Sequence, residues 1–347
     1  MPHAQFPIPN SQFPMTVFVS GLELWQWINQ AKTEAIDSDI ALAELDWFLI
    51  ELTGLDRLAL RLESFKDLPK IELKLSLSEL VELWRRRLQE RMPMQYLTGT
   101  VHWRHFSLKV TPAVLIPRPE TELLIDLAVE AFNSRLEAEN INQKSTPSQG
   151  GHGGTAPTKG GADLNPSKVW GGEFGRSNWV DLGTGSGAIA IGLASELTNA
   201  TIHAVDFSSA ALAVARQNAD NLGFTDRVNF YQGSWWEPLG FLKGRVSGMV
   251  SNPPYIPSST VLTLQPEVLK HEPHLALDGG FDGLECIRHL VNTAPDYLES
   301  GGVWLVEMMA GQAEAVADML ESHGSYCDVR IFADLAGVDR FALAYRR

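Results

Sequence analysis

Four consecutive residues, Asn252-Pro253-Pro254-Tyr255, follow an apolar run from Val246 to Val250 that reads as a buried strand. They therefore stand where a strand ends. Their types suit one chemical task, holding a planar amino group still while its nitrogen is methylated. Such a nitrogen is a poor nucleophile because its lone pair is delocalised, so a site must accept its N–H groups and aim the lone pair at the electrophile. Asn252 offers a side-chain carbonyl oxygen. Pro254 biases the residue before it towards extended backbone, which aims the Pro253 carbonyl. Tyr255 offers an aromatic face against a flat group. Taken alone, the same four residues also read as a Pro-Pro turn closing a strand.

A second element narrows the choice. Residues 179–193 read as a strand, a glycine turn and an apolar helix. Gly183, Gly185 and Gly187 permit a tight turn and close approach of a ligand to the main chain. The next strand, Thr201 to Val205, ends in Asp206, about 20 residues after the glycines, the spacing at which an acidic side chain meets a ribose hydroxyl. Gly183, Gly185 and Ala188 also satisfy the dinucleotide pattern G-x-G-x-x-A, so that class stays open on the loop alone. Two features favour S-adenosylmethionine. Asp181 precedes the first glycine and places a carboxylate where a methionine ammonium group could pair. The tetrapeptide closes a later strand of the same sheet, facing the crevice at the strands' carboxyl ends.

These residues need a frame. From Asn178 the pattern alternates strand and helix, with strands near 178–182, 201–206, 228–232, 246–251, 302–307, 328–333 and 341–346. Helices are expected near 186–197, 208–222, 284–298 and 312–322. The pattern predicts an α/β fold, a seven-stranded, mostly parallel Rossmann-like sheet of the methyltransferase type ending in an antiparallel hairpin. Ahead of it, residues 20–95 show helical periodicity, with stripes Leu22, Trp25, Ile28, Ala31, then Leu42, Leu45, Phe48, Leu49, Leu52, then Leu77, Leu80, Val81, Trp84, Leu88. They predict a small all-α domain suited to docking a partner. Residues 96–118 read as a hairpin linker carrying Val101, Trp103, Phe106, Leu108 and Val110. Residues 119–347 read as the catalytic domain, opening on a helix from about Glu120 to Phe132. A Gly/Ser/Pro-rich stretch at about 137–176 predicts a disordered insertion, and residues 1–19 a disordered tail.

Here the chain resembles a known group. The motifs are Pro93-Met94-Gln95-Tyr96-Leu97-Thr98-Gly99, Leu115-Ile116-Pro117-Arg118-Pro119-Glu120-Thr121-Glu122, Asp181-Leu182-Gly183-Thr184-Gly185-Ser186-Gly187, Ser251 to Ile256, and Glu272-Pro273 through Leu277-Asp278-Gly279-Gly280-Phe281-Asp282-Gly283-Leu284. Together they are similar to the HemK/PrmC family of protein-(glutamine-N5) methyltransferases, over roughly residues 80–347. The resemblance implies S-adenosyl-L-methionine as cofactor and peptide chain release factors as partners, with the glutamine of their Gly-Gly-Gln loop as methyl acceptor. It implies Asn252 and Pro253 as catalytic, and Asn252, Pro253, Pro254 and Tyr255 as substrate-binding. Cofactor contacts would come from Asp181, Gly183, Thr184, Gly185, Ser186, Gly187, Asp206, Trp235 and Asn252. It also implies that Arg118 and Glu120 lie beside the crevice; the plainer reading of Glu120 and Glu122 is a helix's first turn. The family often has an aspartate ahead of the first tryptophan of the Trp235-Trp236 pair, whereas Ser234 stands here. Trp235 stacking is then the better adenine contact, and Trp236 reads as core.

Composition bounds the rest. A formal charge of −14 over 347 residues argues against stable nucleic-acid binding. The one dense basic run, Arg85-Arg86-Arg87 with Arg91, reads as a solvated helix face. Cys286 and Cys327 have no metal spacing, His152 sits alone in a glycine tract, and no metal is expected. No apolar run is long enough to cross a membrane, and the proline-containing start lacks a basic signal-peptide region. A cytoplasmic enzyme is the expectation. An N6-adenine nucleic-acid methyltransferase shares the tetrapeptide's problem and remains a rival, as does a non-catalytic protein docking on the termination machinery.

Overall fold

The computed structural model describes residues 17–144 and 177–347, the side chains of 136–144 excepted. The expected tail through residue 16 and the expected insertion over 145–176, His152 included, lie outside the described residues. The chain divides into two compact units, Met1–Thr100 with Gln265–His271, and Val101–Leu264 with Glu272–Arg347. Seven residues from late in the chain thus belong to the first unit, which otherwise ends at Thr100.

The first unit is built on helices Gly21–Asp37, Leu42–Thr53, Arg57–Leu62, Leu77–Glu90 and Met94–Thr98. Ser20 and Ser76 start two of them with reciprocal capping boxes to Glu23 and Glu79, which satisfy amide groups that the first turn leaves free. Strand β1 (Val17–Val19) pairs antiparallel with β2 (Ile71–Leu73), so residues 17–19, expected in the tail, are in a strand. Leu24, Trp27, Ile28, Ala31 and Ala35 form the buried stripe of the first helix, and Leu22 is half exposed. Of the expected stripe, Ile28 and Ala31 are buried and Trp25 packs partly buried against the core, while Leu24 and Trp27 take the place expected of Leu22, because neighbouring faces are hard to tell apart when tryptophan and leucine stand on both. Leu45, Phe48, Leu49, Leu52, Leu80 and Trp84 are buried as expected, whereas Leu42 and Val81 are exposed.

Arg87 overturns another expectation. It is buried, and its guanidinium pairs with Glu44 at 2.7 Å and Glu267 at 2.9 Å. Arg91 joins Glu267 at 2.8 Å, and His271 hydrogen-bonds the Glu90 carbonyl at 2.7 Å. The basic run is therefore spent on carboxylates: Arg85 pairs with Glu82 and Arg86 with Glu90.

The second unit begins with a hairpin, β3 (Thr100–Trp103) and β4 (Phe106–Lys109), whose Val101, Trp103, Phe106 and Leu108 are buried. A 3-10 turn, Glu120–Glu122, then leads into a helix, Leu123–Lys144. That helix starts later and runs further than Phe132, into the stretch expected to be an insertion. Strands β5 (Ser177–Leu182), β6 (Ala200–Asp206), β7 (Val228–Gln232), β8 (Val246–Ser251), β9 (Leu298–Glu307), β10 (Tyr326–Ala333) and β11 (Asp339–Arg346) form one sheet in the order β10-β11-β9-β8-β5-β6-β7. β7, β6, β5, β8 and β9 run parallel, and β11 pairs antiparallel with both β9 and β10. The expected seven-stranded sheet and terminal hairpin are present.

β8 is buried along its whole length, as a parallel strand covered on both faces should be. Gly248 within it lets the Trp179 ring lie on the strand; a Cβ there would sit 2.3 Å from that ring. The helix expected over 284–298 stops at Thr293, where Pro295 carries the chain through a 3-10 turn into β9. The first strand leads outward to β6 and β7 and the chain then returns to β8 on the other side. The switch point, where ligands bind in open α/β sheets, lies between β5 and β8. Among the described residues no helix is long and apolar enough to cross a membrane.

Candidate active site

The loop after β5 is shaped by its own hydrogen bonds. Gly183 and Thr184 both donate their amides to the Val205 carbonyl at 2.9 Å, tying the loop to the end of β6. Gly183, Gly185 and Gly187 all have positive φ, a conformation that side-chain-bearing residues resist. Asp181 is fully buried beneath the loop. Its Oδ2 accepts from Thr184 Oγ1 at 2.6 Å and from the Ala190 amide at 3.0 Å, bracing the following helix, Ala188–Glu196. Its Oδ1 is buried without a hydrogen-bond partner. Burial pushes the carboxyl up to about 7, against the pull of those two bonds.

Asp206 ends β6 and holds the loop from the other side. Its Oδ2 accepts from the Gly185 amide and its Oδ1 from the Ser208 amide, both at 2.8 Å. Each oxygen keeps further acceptor capacity for a hydroxyl. Burial raises this carboxyl above its ordinary range.

A cavity of about 370 Å³ opens above these strand ends, and the walls include Gly183, Gly185, Asp206, Trp235, Asn252 and Pro254. Its size lies within the range of small-ligand sites. The glycine loop, the β6 acid and two residues of the tetrapeptide, Asn252 and Pro254, thus share one cavity, while Pro253 and Tyr255 are not on its wall and Pro253 is buried. Thr184 and Ser186 are buried within the loop and act as its frame. Asp181 stands behind the wall, not on it. Gly187 faces helix Ser209–Asn221, where a Cβ would come within 3.1 Å of Ala215. Trp235 lies on the wall in a left-handed backbone conformation, φ 51°, a strain that non-glycine residues tolerate chiefly at functional positions. Trp236 is core, stacked on Tyr297 at 4.4 Å.

The tetrapeptide is held by a segment whose part was not legible beforehand. Ile256 and Asp278 form a bridge, Gly279 donates to the Ile256 carbonyl at 2.9 Å, and Gln312 Nε2 donates to the carbonyls of Tyr255 and Gly283 at 3.0 and 3.3 Å. A Cβ on Gly279 would meet Tyr255 Cα at 2.7 Å and the Pro254 carbonyl oxygen at 2.8 Å. Only glycine allows this approach.

Arg118 and Glu120 are not on the cavity wall. Arg118 instead makes two bonds to the Glu272 carboxylate, at 2.7 and 2.9 Å, and its carbonyl accepts from Trp103 Nε1. Glu122 accepts from the Arg104 amide. Three side chains that sequence reasoning missed complete the site's support. Asn218 accepts from the Lys109 amide and donates to the Lys109 and Ser186 carbonyls, fixing the loop to β4. Glu307 and Thr121 stand behind Asn252. Thr121 Oγ1 donates to Glu307 Oε2 at 2.7 Å, Tyr255 donates its phenol to Glu307 Oε1 at 3.0 Å, and Asn252 Nδ2 donates to Thr121 Oγ1 at 3.2 Å. Thr121 lies inside a motif quoted above, which was the available signal. Glu307 had none beyond standing at a strand's carboxyl end.

The residues present fit a ligand with a nucleoside part. Asp206 offers acceptors for a ribose, and the wall at Trp235, Phe207 and Leu275 is apolar for a base, whereas Asp181, fully buried behind the wall, offers the cavity no exposed acceptor.

Known proteins bear on this geometry. A general methyltransferase-domain model matches residues 175–328. A protein of Synechocystis sp. named release factor glutamine methyltransferase is 48% identical over 94% of this chain and 97% of its own length. Proteins of the same name from Thermosynechococcus vestitus and Gloeobacter violaceus are 47% and 40% identical, each over 92% of this chain and 96% of their own length.

Proposed function

Since the chain belongs to the release factor glutamine methyltransferase family, we propose that it methylates the side-chain amide nitrogen, N5, of the glutamine in a release factor's Gly-Gly-Gln loop. The supporting observation is that Asn252 and Pro254 share one cavity with Gly183, Gly185 and Asp206. This supports a reading in which Asn252 accepts from a planar amide at the mouth of a fold suited to S-adenosylmethionine. The cofactor, when bound, supplies an electrophilic methyl group on a sulfonium.

The chain's own residues then have the following parts. Gly183 and Gly185 let the main chain come close to the ligand, and Asp206 accepts from the ribose hydroxyls. Trp235 packs on the base. Asn252 Oδ1 and the Pro253 carbonyl accept the two N–H groups of the target amide, which fixes the nitrogen's plane and turns its lone pair towards the methyl group. Tyr255, with burial and Glu307 raising its phenol's pKa, stays protonated and packs as a neutral ring. Positioning of this kind contributes most of the acceleration in such a displacement. No strong base is required, because the nitrogen becomes acidic only as the methyl arrives, and the proton then leaves to solvent. The helical first unit serves as the docking surface for the release factor. A cytoplasmic site of action belongs to the same reading, because translation termination takes place there.

The test is direct. Purified protein is given methyl-labelled cofactor with a release factor, with the same factor carrying Gln→Ala in its loop, and with single- or double-stranded DNA. Label in the intact factor alone supports the assignment. Label in DNA, or equal label in both factors, overturns it.

A further inference from the structure

Asparagine has two nearly isosteric ends, and only one of them serves a substrate N–H. Shape cannot choose between Oδ1 and Nδ2, so a hydrogen-bond partner must. Behind Asn252 that partner is the Thr121 hydroxyl. A threonine hydroxyl has one proton, and here it is given to Glu307 Oε2 at 2.7 Å. An ionised carboxylate can only accept, so Thr121 has nothing but lone pairs left for Asn252. Those lone pairs select the NH2 end. The carbonyl end is then turned away from Thr121. Glu307 is itself 1% exposed at the end of β9, and its second oxygen is occupied by the Tyr255 phenol.

We propose that Glu307, acting through Thr121, is the positioning residue that sets the direction of the Asn252 amide, so that Oδ1 and not the NH2 group faces the methyl acceptor. This rests on the reading above in which Asn252 accepts from the target amide. It gives the Glu120-Thr121-Glu122 run a part in the reaction that does not require touching the cavity.

The device depends on Glu307 being ionised. A protonated Glu307 can donate to Thr121, whose own proton is then free to select the carbonyl end of Asn252 and turn the NH2 group outward. The charged and titratable groups facing Glu307 are Glu120 on the 3-10 turn, Arg340 on β11 and Tyr255 on the tetrapeptide, with Arg118 further off beside Tyr255. Arg340 is shared with Asp334 and Arg118 with Glu272. Burial dominates and brings the Glu307 carboxyl up to about 7, so the reversal falls within an accessible pH range.

The experiment is methyl transfer to a release factor across that range, with cofactor binding measured by calorimetry. Thr121→Val lowers kcat by about 10-fold or more with little change in cofactor affinity, and Thr121→Ser recovers most of the loss. In the wild type kcat falls as Glu307 gains its proton, and that acid limb is missing from Glu307→Gln. Should Glu307→Gln fail to fold, the same limb is read in Thr121→Val, where it must also be missing. Full turnover by Thr121→Val, or an acid limb that survives in the folded variants, overturns the proposal. Asn252→Ala separates the two levels. If it turns over normally, the reading of Asn252 itself fails. If it is inactive while Thr121→Val is active, only the part given to Glu307 and Thr121 fails.

Discussion

Replacing Gly279 with alanine adds one methyl group at a place with no room for it. The new carbon would lie 2.7 Å from Tyr255 Cα, 2.7 Å from the Gly283 carbonyl oxygen and 2.8 Å from that of Pro254. All three are backbone atoms, so no side chain can rotate aside. Ordinary contact requires a separation of 3.4 Å or more, and the tetrapeptide must therefore shift by about 0.7 Å or the 279–283 turn must open. A misplacement of ~1 Å can cost ~10²-fold in rate where positioning is the source of catalysis. The expected outcome for Gly279→Ala is a fall in kcat of about 10- to 100-fold, with overpacking lowering stability by about 1–3 kcal/mol. Cofactor affinity should change far less, because the Gly183–Gly187 loop and Asp206 are held by bonds that do not involve this turn. The assay is steady-state methylation of a release factor beside calorimetric cofactor binding and thermal melting. Gly240→Ala is the control, since a Cβ there meets nothing within 4 Å. Equal turnover by the two variants would refute the idea that the 279–283 turn sets the tetrapeptide's position.

Asn252→Ala should lower turnover by an order of ~10² or more while cofactor binding stays nearly intact; methylation within a few-fold of wild type would remove Asn252 from the mechanism. Asp206→Ala should weaken cofactor binding, because it removes the expected ribose acceptors and the clasp on the Gly185 amide together; unchanged affinity by titration would count against that assignment. Burial raises Glu307 and Asp181 to about 7, so both bind protons more tightly folded than unfolded. Their contribution to stability is therefore present in the ordinary carboxylate range and is lost as pH rises towards 7. For Glu307 the change is on the order of 3 kcal/mol, and the melting temperature of Glu307→Gln should fall less steeply over that window than the wild type's. Parallel melting curves for the two would show that Glu307 does not titrate there.

How far the sequence was legible depended on the range over which each signal acts. Apolar runs and glycine spacings act within a few residues, and β5, β6, β8 and the loop between the first two were readable for that reason. The shared cavity followed, because the ends of those strands must lie together once the sheet order is known. Partnerships across long separations were not readable. Thr121 and Glu307 are 186 residues apart, and Arg118 and Glu272 are 154 apart, so neither pair leaves a local pattern. Arg87 looked like part of a solvated basic face because three consecutive arginines dominate the local composition, and only the fold shows that one of them is buried between Glu44 and Glu267. The Asp181 carboxylate was expected to face a ligand's ammonium group, but it is buried behind the cavity wall by two hydrogen bonds that no spacing rule describes.

The return of Gln265–His271 to the first unit bears on how the molecule can be taken apart. A cut at residue 100, where a boundary drawn along the chain would fall, does not yield the catalytic unit. It strands Glu267 without Arg87 and Arg91, and His271 without the Glu90 carbonyl. The stranded segment lies between Leu264 and Glu272, so the orphaned carboxylate would be carried only a few residues from the partner of Arg118. Anyone transplanting the helical unit between relatives must exchange both pieces as a matched set. A chimera that exchanges only the first hundred residues tests a broken joint, and its loss of activity would say nothing about which unit recognises the substrate.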